Sequence, residues 1–226
     1  MRLYKMSVKS KSSNKRADNI NYDRLANTKV NTHPFEYMVI TDMINDTSLE
    51  GVITDFPRIS SRGSFPLDTV KCGPRFLNMI EELKGDKFRK IVEDKFSIDL
   101  SDKPIMITAR GLCEDRDGQI HVDSKGKLIT VLLYMNETWE HSGGRLRILN
   151  NQHNLEDYVA EVIPVAGTMI IFKCTDNAWH GHHPFSGRRN AIQLNWVVDS
   201  GYLDKERARH KVSAFFKKIK SFFQSL

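Results

Sequence analysis

A chain of 226 residues with 40% hydrophobic and 27% charged residues has the make-up of a globular protein large enough to bury a sizeable core. Its net charge of +6 is gathered at the ends: residues 1–18 and 204–226 each carry +5, which leaves the body between them acidic. A body built to grip nucleic acid would carry a basic face of its own, so no strong nucleic-acid signal is present.

The N-terminal stretch MRLYKMSVKSKSSNKRADN has no apolar run of the kind a secretory signal needs. The longest apolar runs, LITVLLYM and MIIF, are strand-length and too short to span a bilayer. Cys72, Cys113 and Cys174 are widely spaced and form no CxxC, which fits reduced thiols and an expected cytoplasmic location.

Residues 1–30 are polar, rich in Lys, Ser and Asn, and without periodicity; they read as a mobile basic arm. Residues 31–203 read as one domain. GPRFLNMIEELKG predicts a helix with Pro74 in its first turn, an apolar stripe of Phe76, Met79, Ile80 and Leu83, and Gly85 as a stop. DKFRKIVEDKF continues the helical spacing with Phe88, Ile91, Val92 and Phe96. Both helices are expected to pack outside a sheet.

After Lys103 the period changes. PIMITAR, GQIHVD, KLITVLLYM, RLRIL, YVAEVIPV, GTMIIFK, AWHGHHPF and NAIQLNWVV are short β-prone runs separated by turn-like pieces. Such runs at close spacing, without helices between them, predict a mainly β fold of the jelly-roll kind, flanked by N-terminal helices. Residues 204–226 predict a basic amphipathic C-terminal helix, with Val212, Phe215, Phe216, Ile219, Phe222 and Phe223 on one stripe. It either docks on the domain or makes a peripheral contact with an anionic membrane or polyanion.

His121 and Asp123 form an HxD pair, and residues i and i+2 of a strand share a face. The pair can offer an imidazole and a carboxylate to one metal ion. A histidine from a distant strand would complete a facial triad that leaves positions open on Fe(II) for oxygen chemistry. If His180 is that histidine, Arg189 follows nine residues later at the head of a strand. A guanidinium there can grip a carboxylate through two parallel hydrogen bonds. A cosubstrate with a distal carboxylate and a metal-chelating 2-oxo acid end would join the two, and 2-oxoglutarate is such a molecule.

With TVLLYMNETW and SGGRLRIL between them, these residues resemble the prolyl-hydroxylase-like branch of the Fe(II)/2-oxoglutarate dioxygenases over residues 104–198. The resemblance implies a double-stranded β-helix, with His121, Asp123 and His180 as iron ligands. It implies that Arg189 and Tyr134 bind the far carboxylate of 2-oxoglutarate. It also implies O2 as co-reactant and ascorbate as a support. The activity implied is hydroxylation of an unidentified substrate with release of succinate and CO2; the presence of Asp123 argues against halogenation. The acceptor could be a small molecule, a sugar, a lipid precursor or a protein side chain. The prolyl hydroxylases carry a tryptophan six residues after the arginine, where this chain has Asn195 and places Trp196 on the opposite face. A different acceptor pocket is therefore expected.

Gln193 and Asn195 share the inward face with Arg189 and are candidate substrate contacts. His182 is a candidate substrate contact, outer partner or alternative ligand, with a structural role as the plainer reading. Arg110 is either a contact for an anionic substrate or an ordinary surface arginine, and the surface reading is preferred. Gly143 and Gly144 read as turn residues. The competing account of the whole chain is a non-catalytic jelly-roll module that binds a membrane surface or polyanion through its basic ends.

Overall fold

The computed structural model describes residues 18–209. Its helices are α1 (Tyr22–Asn27), α2 (Asp46–Thr54), α3 (Pro74–Lys84) and α4 (Asp86–Phe96). Its strands are β1 (Tyr37–Ile40), β2 (Phe65–Pro66), β3 (Ile105–Cys113), β4 (Lys127–Tyr134), β5 (Leu146–Leu149), β6 (Tyr158–Val162), β7 (Met169–Lys173), β8 (His180–Gly181) and β9 (Gly187–Val197). They form a larger antiparallel sheet in the order β1-β7-β4-β9-β3-β2 and a smaller one in the order β6-β5-β8. Two antiparallel sheets with the chain crossing repeatedly between them make the jelly roll that the strand spacing predicts.

Period-two alternation separates two cores. On β4, Ile129, Val131 and Leu133 face the helices, as do Ile192, Leu194 and Trp196 on β9. They meet Phe76, Met79, Ile80 and Leu83 of α3, and Phe88, Val92 and Phe96 of α4, the stripes the helical spacing predicts. Trp196 stacks on Phe88 with ring centroids 6.1 Å apart and planes 10° from parallel, so its turn away from the cavity has a packing cause. On the other face Tyr134, Ile170, Phe172 and Ala191 meet Leu146 and Ile148 of the smaller sheet. Arg145 and Arg147, between and beside those two, point outward and pair with Glu161.

The N-terminal expectation is corrected for the residues described. Residues 18–30 are docked: Ile20 and Leu25 are buried in the helical core. The Glu82 carboxylate accepts the backbone N–H groups of Asn19 and Ile20. Tyr22 and Val30 pack against the same core, so a few apolar residues in a polar run dock it. Residues 200–209 are helical, and Leu203 packs with Met106 and Val197. The rest of the expected amphipathic helix, with its phenylalanine stripe, lies outside the described residues. Among those residues no helix is long and apolar enough to cross a membrane.

Candidate active site

His121, Asp123 and His180 converge although 57 residues separate Asp123 from His180. His121 and His180 face each other in an isolated antiparallel bridge, exchanging both backbone hydrogen bonds at 3.0 Å. Their rings lie 4.3 Å apart, and one ligand atom from each histidine and from Asp123 fall within 4.8 Å of one another. GQIHVD was expected as a regular strand; it contributes only this bridge, and Asp123 sits in the approach to β4. The shared face survives because the bridge pins His121, and Asp123 is held separately.

Three features prepare these groups for a cation. The Nδ1 atoms of His121 and His180 lie 2.8 Å and 2.9 Å from the carbonyls of Gln119 and Ala178. A carbonyl only accepts, so each Nδ1 bears a proton, and Nε2 is the nitrogen through which either ring would ligate a metal. Burial and then the neighbouring His121 push His180 down to about 4, so it stays neutral and able to ligate. Burial pulls the Asp123 carboxyl upward, but Lys127, His180 and a hydrogen bond from Thr130 outweigh it and hold it below the usual range.

Asp123 is oriented from both sides. The Lys127 ammonium donates to Oδ1 at 2.9 Å, and the Thr130 hydroxyl donates to Oδ2. Thr130 in turn accepts a hydrogen bond from the Asn195 amide at 2.7 Å. Asn195, expected as a substrate contact, is thus corrected. It is 1% exposed, does not line the cavity, and acts on the carboxylate through Thr130. Its partner Thr130 lies on the same strand face as Tyr134, a parity the sequence displays; the link to Asp123 it does not.

The cavity beside this cluster is walled by β3, β4 and β9 and by the loops before β4 and around β8. Arg189 enters it, 5% exposed. Its Nε donates to the Gly144 carbonyl at 2.8 Å and its Nη2 to the Tyr134 hydroxyl at 3.1 Å. No described carboxylate pairs with it. Opposite Gly111 of β3, β9 carries an extra residue at Arg189–Asn190, the kind of bulge that re-aims a side chain. Asn136, of the YMN stretch, clamps this point by accepting the Asn190 N–H and donating to its carbonyl. Arg188, the sequence neighbour, is exposed on the outer surface.

Tyr134 lies behind Arg189 and is fully buried. Burial raises its phenol, against the opposing pull of Arg189, so the hydroxyl keeps its proton as a donor. Gly144 has φ +75°, and a Cβ there would meet Trp139 at 2.7 Å. The glycine pair therefore serves a turn, as expected, and also presents the carbonyl that aims Arg189, which the sequence did not reveal. Gln193 lines the cavity.

His182 lines the same cavity but is not in the three-residue group. Its Nδ1 lies 2.8 Å from the His183 carbonyl, and its ring fills the space a Cβ on Gly118 would need, at 2.2 Å. Gly118 has φ +79°, so both conformation and packing call for glycine.

Residues 112–197 match the family model of the 2OG-Fe(II) oxygenase superfamily. Over this segment the chain is similar to that superfamily. No curated protein sequence matches the chain. Among solved structures, the fold is similar to that of a prolyl 4-hydroxylase of Pseudomonas putida. The identity is 18%, the match covers 78% of this chain and 90% of that one, and the TM-score is 0.52. A viral collagen prolyl hydroxylase of Paramecium bursaria Chlorella virus-1, solved with 2-oxoglutarate, matches at 16% identity over 72% and 96%, with TM-score 0.50. A prolyl 4-hydroxylase of Phytophthora capsici matches at 16% over 81% and 67%, with TM-score 0.52. At such identities the likeness is one of fold. The site itself fits the two groups in the superfamily's description: two imidazoles and a carboxylate for Fe(II), and a buried guanidinium, with no acidic partner among the described residues, for a carboxylate.

A pH dependence follows from the buried histidines. Burial pushes His182 as well as His180 down to about 4, with Arg189 adding to the effect on His182. Unfolded imidazole titrates near ~6.5. Between about 6.5 and about 4 the unfolded chain binds more protons than the folded one. Their contribution is therefore complete above about pH 6.5 and lost as pH falls towards 4. Thermal melts of the metal-free protein should show Tm falling through that window; a flat Tm would mean that neither ring is held neutral.

Proposed function

We propose that the protein is an Fe(II)- and 2-oxoglutarate-dependent dioxygenase that hydroxylates an organic acceptor. The overall reaction converts 2-oxoglutarate, O2 and R–H into succinate, CO2 and R–OH. The observation that carries this reading is the Arg189 guanidinium: a buried cation without an acidic partner among the described residues, in the same cavity as His121, Asp123 and His180. Burying a charge uncompensated is costly, so the position makes sense for a ligand that brings its own carboxylate.

In this reading His121, Asp123 and His180 hold the iron. When bound, the iron would activate O2, which is the oxidant, and 2-oxoglutarate would supply two of the four electrons that reduce it. The rest is done by the chain. Arg189 fixes the distal carboxylate, and Tyr134 and the Gly144 carbonyl keep Arg189 in place. Thr130, backed by Asn195, keeps Asp123 turned towards its two histidines. Phe172, Leu132 and Leu146 give the cavity an apolar wall, which excludes water from the reacting centre.

The test is 2-oxoglutarate-dependent succinate formation by protein supplied with Fe(II), ascorbate and air, across amino acids, sugars, lipid precursors and peptides. The expected result is slow succinate release alone and stimulation by one class, with a product heavier by one oxygen. Stimulated succinate release without an oxygenated product would contradict hydroxylation.

A further inference from the structure

The cavity holds a second arginine that 2-oxoglutarate does not need. Arg110 projects from β3, opposite Ala191 of β9, into the same space as Arg189. Taken from the sequence as a surface residue, it is half-buried instead. Its one side-chain hydrogen bond among the described residues is from Nη2 to the Ser64 hydroxyl at 3.1 Å, and it forms no ion pair. Asp117, whose charge favours the Arg110 cation, is committed elsewhere. Its carboxylate accepts Nε and Nη2 of Arg62, the latter at 2.6 Å, and the backbone N–H of Glu114. Burial and the like charge of Arg189 both act against the Arg110 cation. Two unneutralised guanidiniums in one cavity repel each other, and such an arrangement persists where function requires it.

The charges show what is missing. 2-Oxoglutarate brings two carboxylates. In the reading above, one goes to the metal and the other to Arg189. Nothing is left for Arg110, and the metal adds positive charge of its own. The neighbouring wall is also polar: Thr108 and Gln193 face each other across β3 and β9, and both line the cavity with Ser64. A cation flanked by hydroxyl and amide groups, in a cavity that also has an apolar wall of Leu132, Leu146 and Phe172, is suited to an oxyanion on an organic molecule.

We propose that Arg110, assisted by Ser64, is the subsite for an acidic group of the substrate, so that the acceptor hydroxylated here carries a carboxylate or a phosphate ester. This rests on the assignment of Arg189 to 2-oxoglutarate. The subsite sets which C–H faces the metal by anchoring the acceptor at the β3 wall. It also separates acidic acceptors from their neutral amides, because a neutral group leaves Arg110 unpaired.

The test is calorimetric titration of the full-length protein, loaded with redox-silent Zn(II) and saturating 2-oxoglutarate, with benzoate, phenyl phosphate and benzamide. At least one anion is expected to bind, and benzamide to bind about tenfold or more weakly. Preference for benzoate identifies a carboxylate acceptor, and preference for phenyl phosphate a phosphate ester. Arg110→Gln should weaken the anion by about tenfold or more, Arg110→Lys by less, and neither should change 2-oxoglutarate affinity by more than about twofold. Equal binding of benzamide, failure of both anions, or unchanged anion affinity in Arg110→Gln would overturn the subsite. So would loss of 2-oxoglutarate in Arg110→Gln, which would place Arg110 on the cosubstrate. If wild type takes up no 2-oxoglutarate, the underlying reading fails; the same anion titrations on the Zn(II) protein alone then decide the subsite separately.

Discussion

Arg189→Gln should bind 2-oxoglutarate roughly a hundredfold or more weakly than wild type, because it removes one partner of a buried charged pair. Glutamine keeps a donor and much of the length but not the charge or the fork. The measurement is calorimetric titration of the Zn(II)-loaded protein. Arg188→Gln should bind as wild type, since that side chain lies on the outer surface. The reverse pattern would mean that the β9 bulge is misplaced by one residue. Tyr134→Phe removes a single hydroxyl contact, so a loss nearer tenfold is expected. Stability supplies a second readout. Without cosubstrate, Arg189 is a buried cation that no described carboxylate balances. Arg189→Gln is therefore expected to melt no lower than wild type, as relief of that charge offsets its bonds to Gly144 and Tyr134. A large drop in Tm would show Arg189 to be structural instead.

The second large effect concerns the metal. His180→Ala and Asp123→Ala should each lower Fe(II) affinity by more than the ten- to hundredfold that loss of an outer hydrogen-bond partner costs. Thr130→Val should fall within that smaller range, because Asp123 keeps its place but loses the hydroxyl that turns it. Asn195→Leu acts one step further out, through Thr130, and should do less than Thr130→Val. His182→Ala should leave the metal bound, since His182 lies outside the ligand group. Competition against a chromogenic chelator measures all five. Fe(II) affinity unchanged in Asp123→Ala would remove Asp123 from the site, and a loss in His182→Ala equal to that in His180→Ala would require a different ligand set.

What could be read from the sequence followed from how each feature is encoded. The α3 and α4 stripes and the inward faces of β4 and β9 are written in periodicity, and packing obeys periodicity. The short strands β1 and β2, of four and two residues, carry too few residues to show a period of their own. They form because neighbours complete them, as β7 does for β1. Residues 18–30 look like a tail in composition, yet Ile20, Tyr22, Leu25 and Val30 and the Glu82 carboxylate dock them. Asn195 and Arg110 share one lesson. Strand parity says which face a residue is on, but not whether it reaches the cavity. Asn195 stops at Thr130, while Arg110 reaches the cavity.

The aim of Arg189 was legible only in part. Its spacing from His180 suggested a carboxylate clamp, but the Gly144 carbonyl and the Asn136 clamp depend on loops that meet only in three dimensions. Those contacts hold the guanidinium in the cavity, where the proposed function has a carboxylate complete it.

The central claim is that one cavity takes a metal and a 2-oxo diacid together. The most direct measurement is titration of wild-type protein with 2-oxoglutarate, with Zn(II) present and then with the metal stripped by chelation. The account predicts a single site that is markedly tighter when the metal is present. Absence of 2-oxoglutarate binding to the metal-loaded protein, or equal affinity with and without metal, would contradict it.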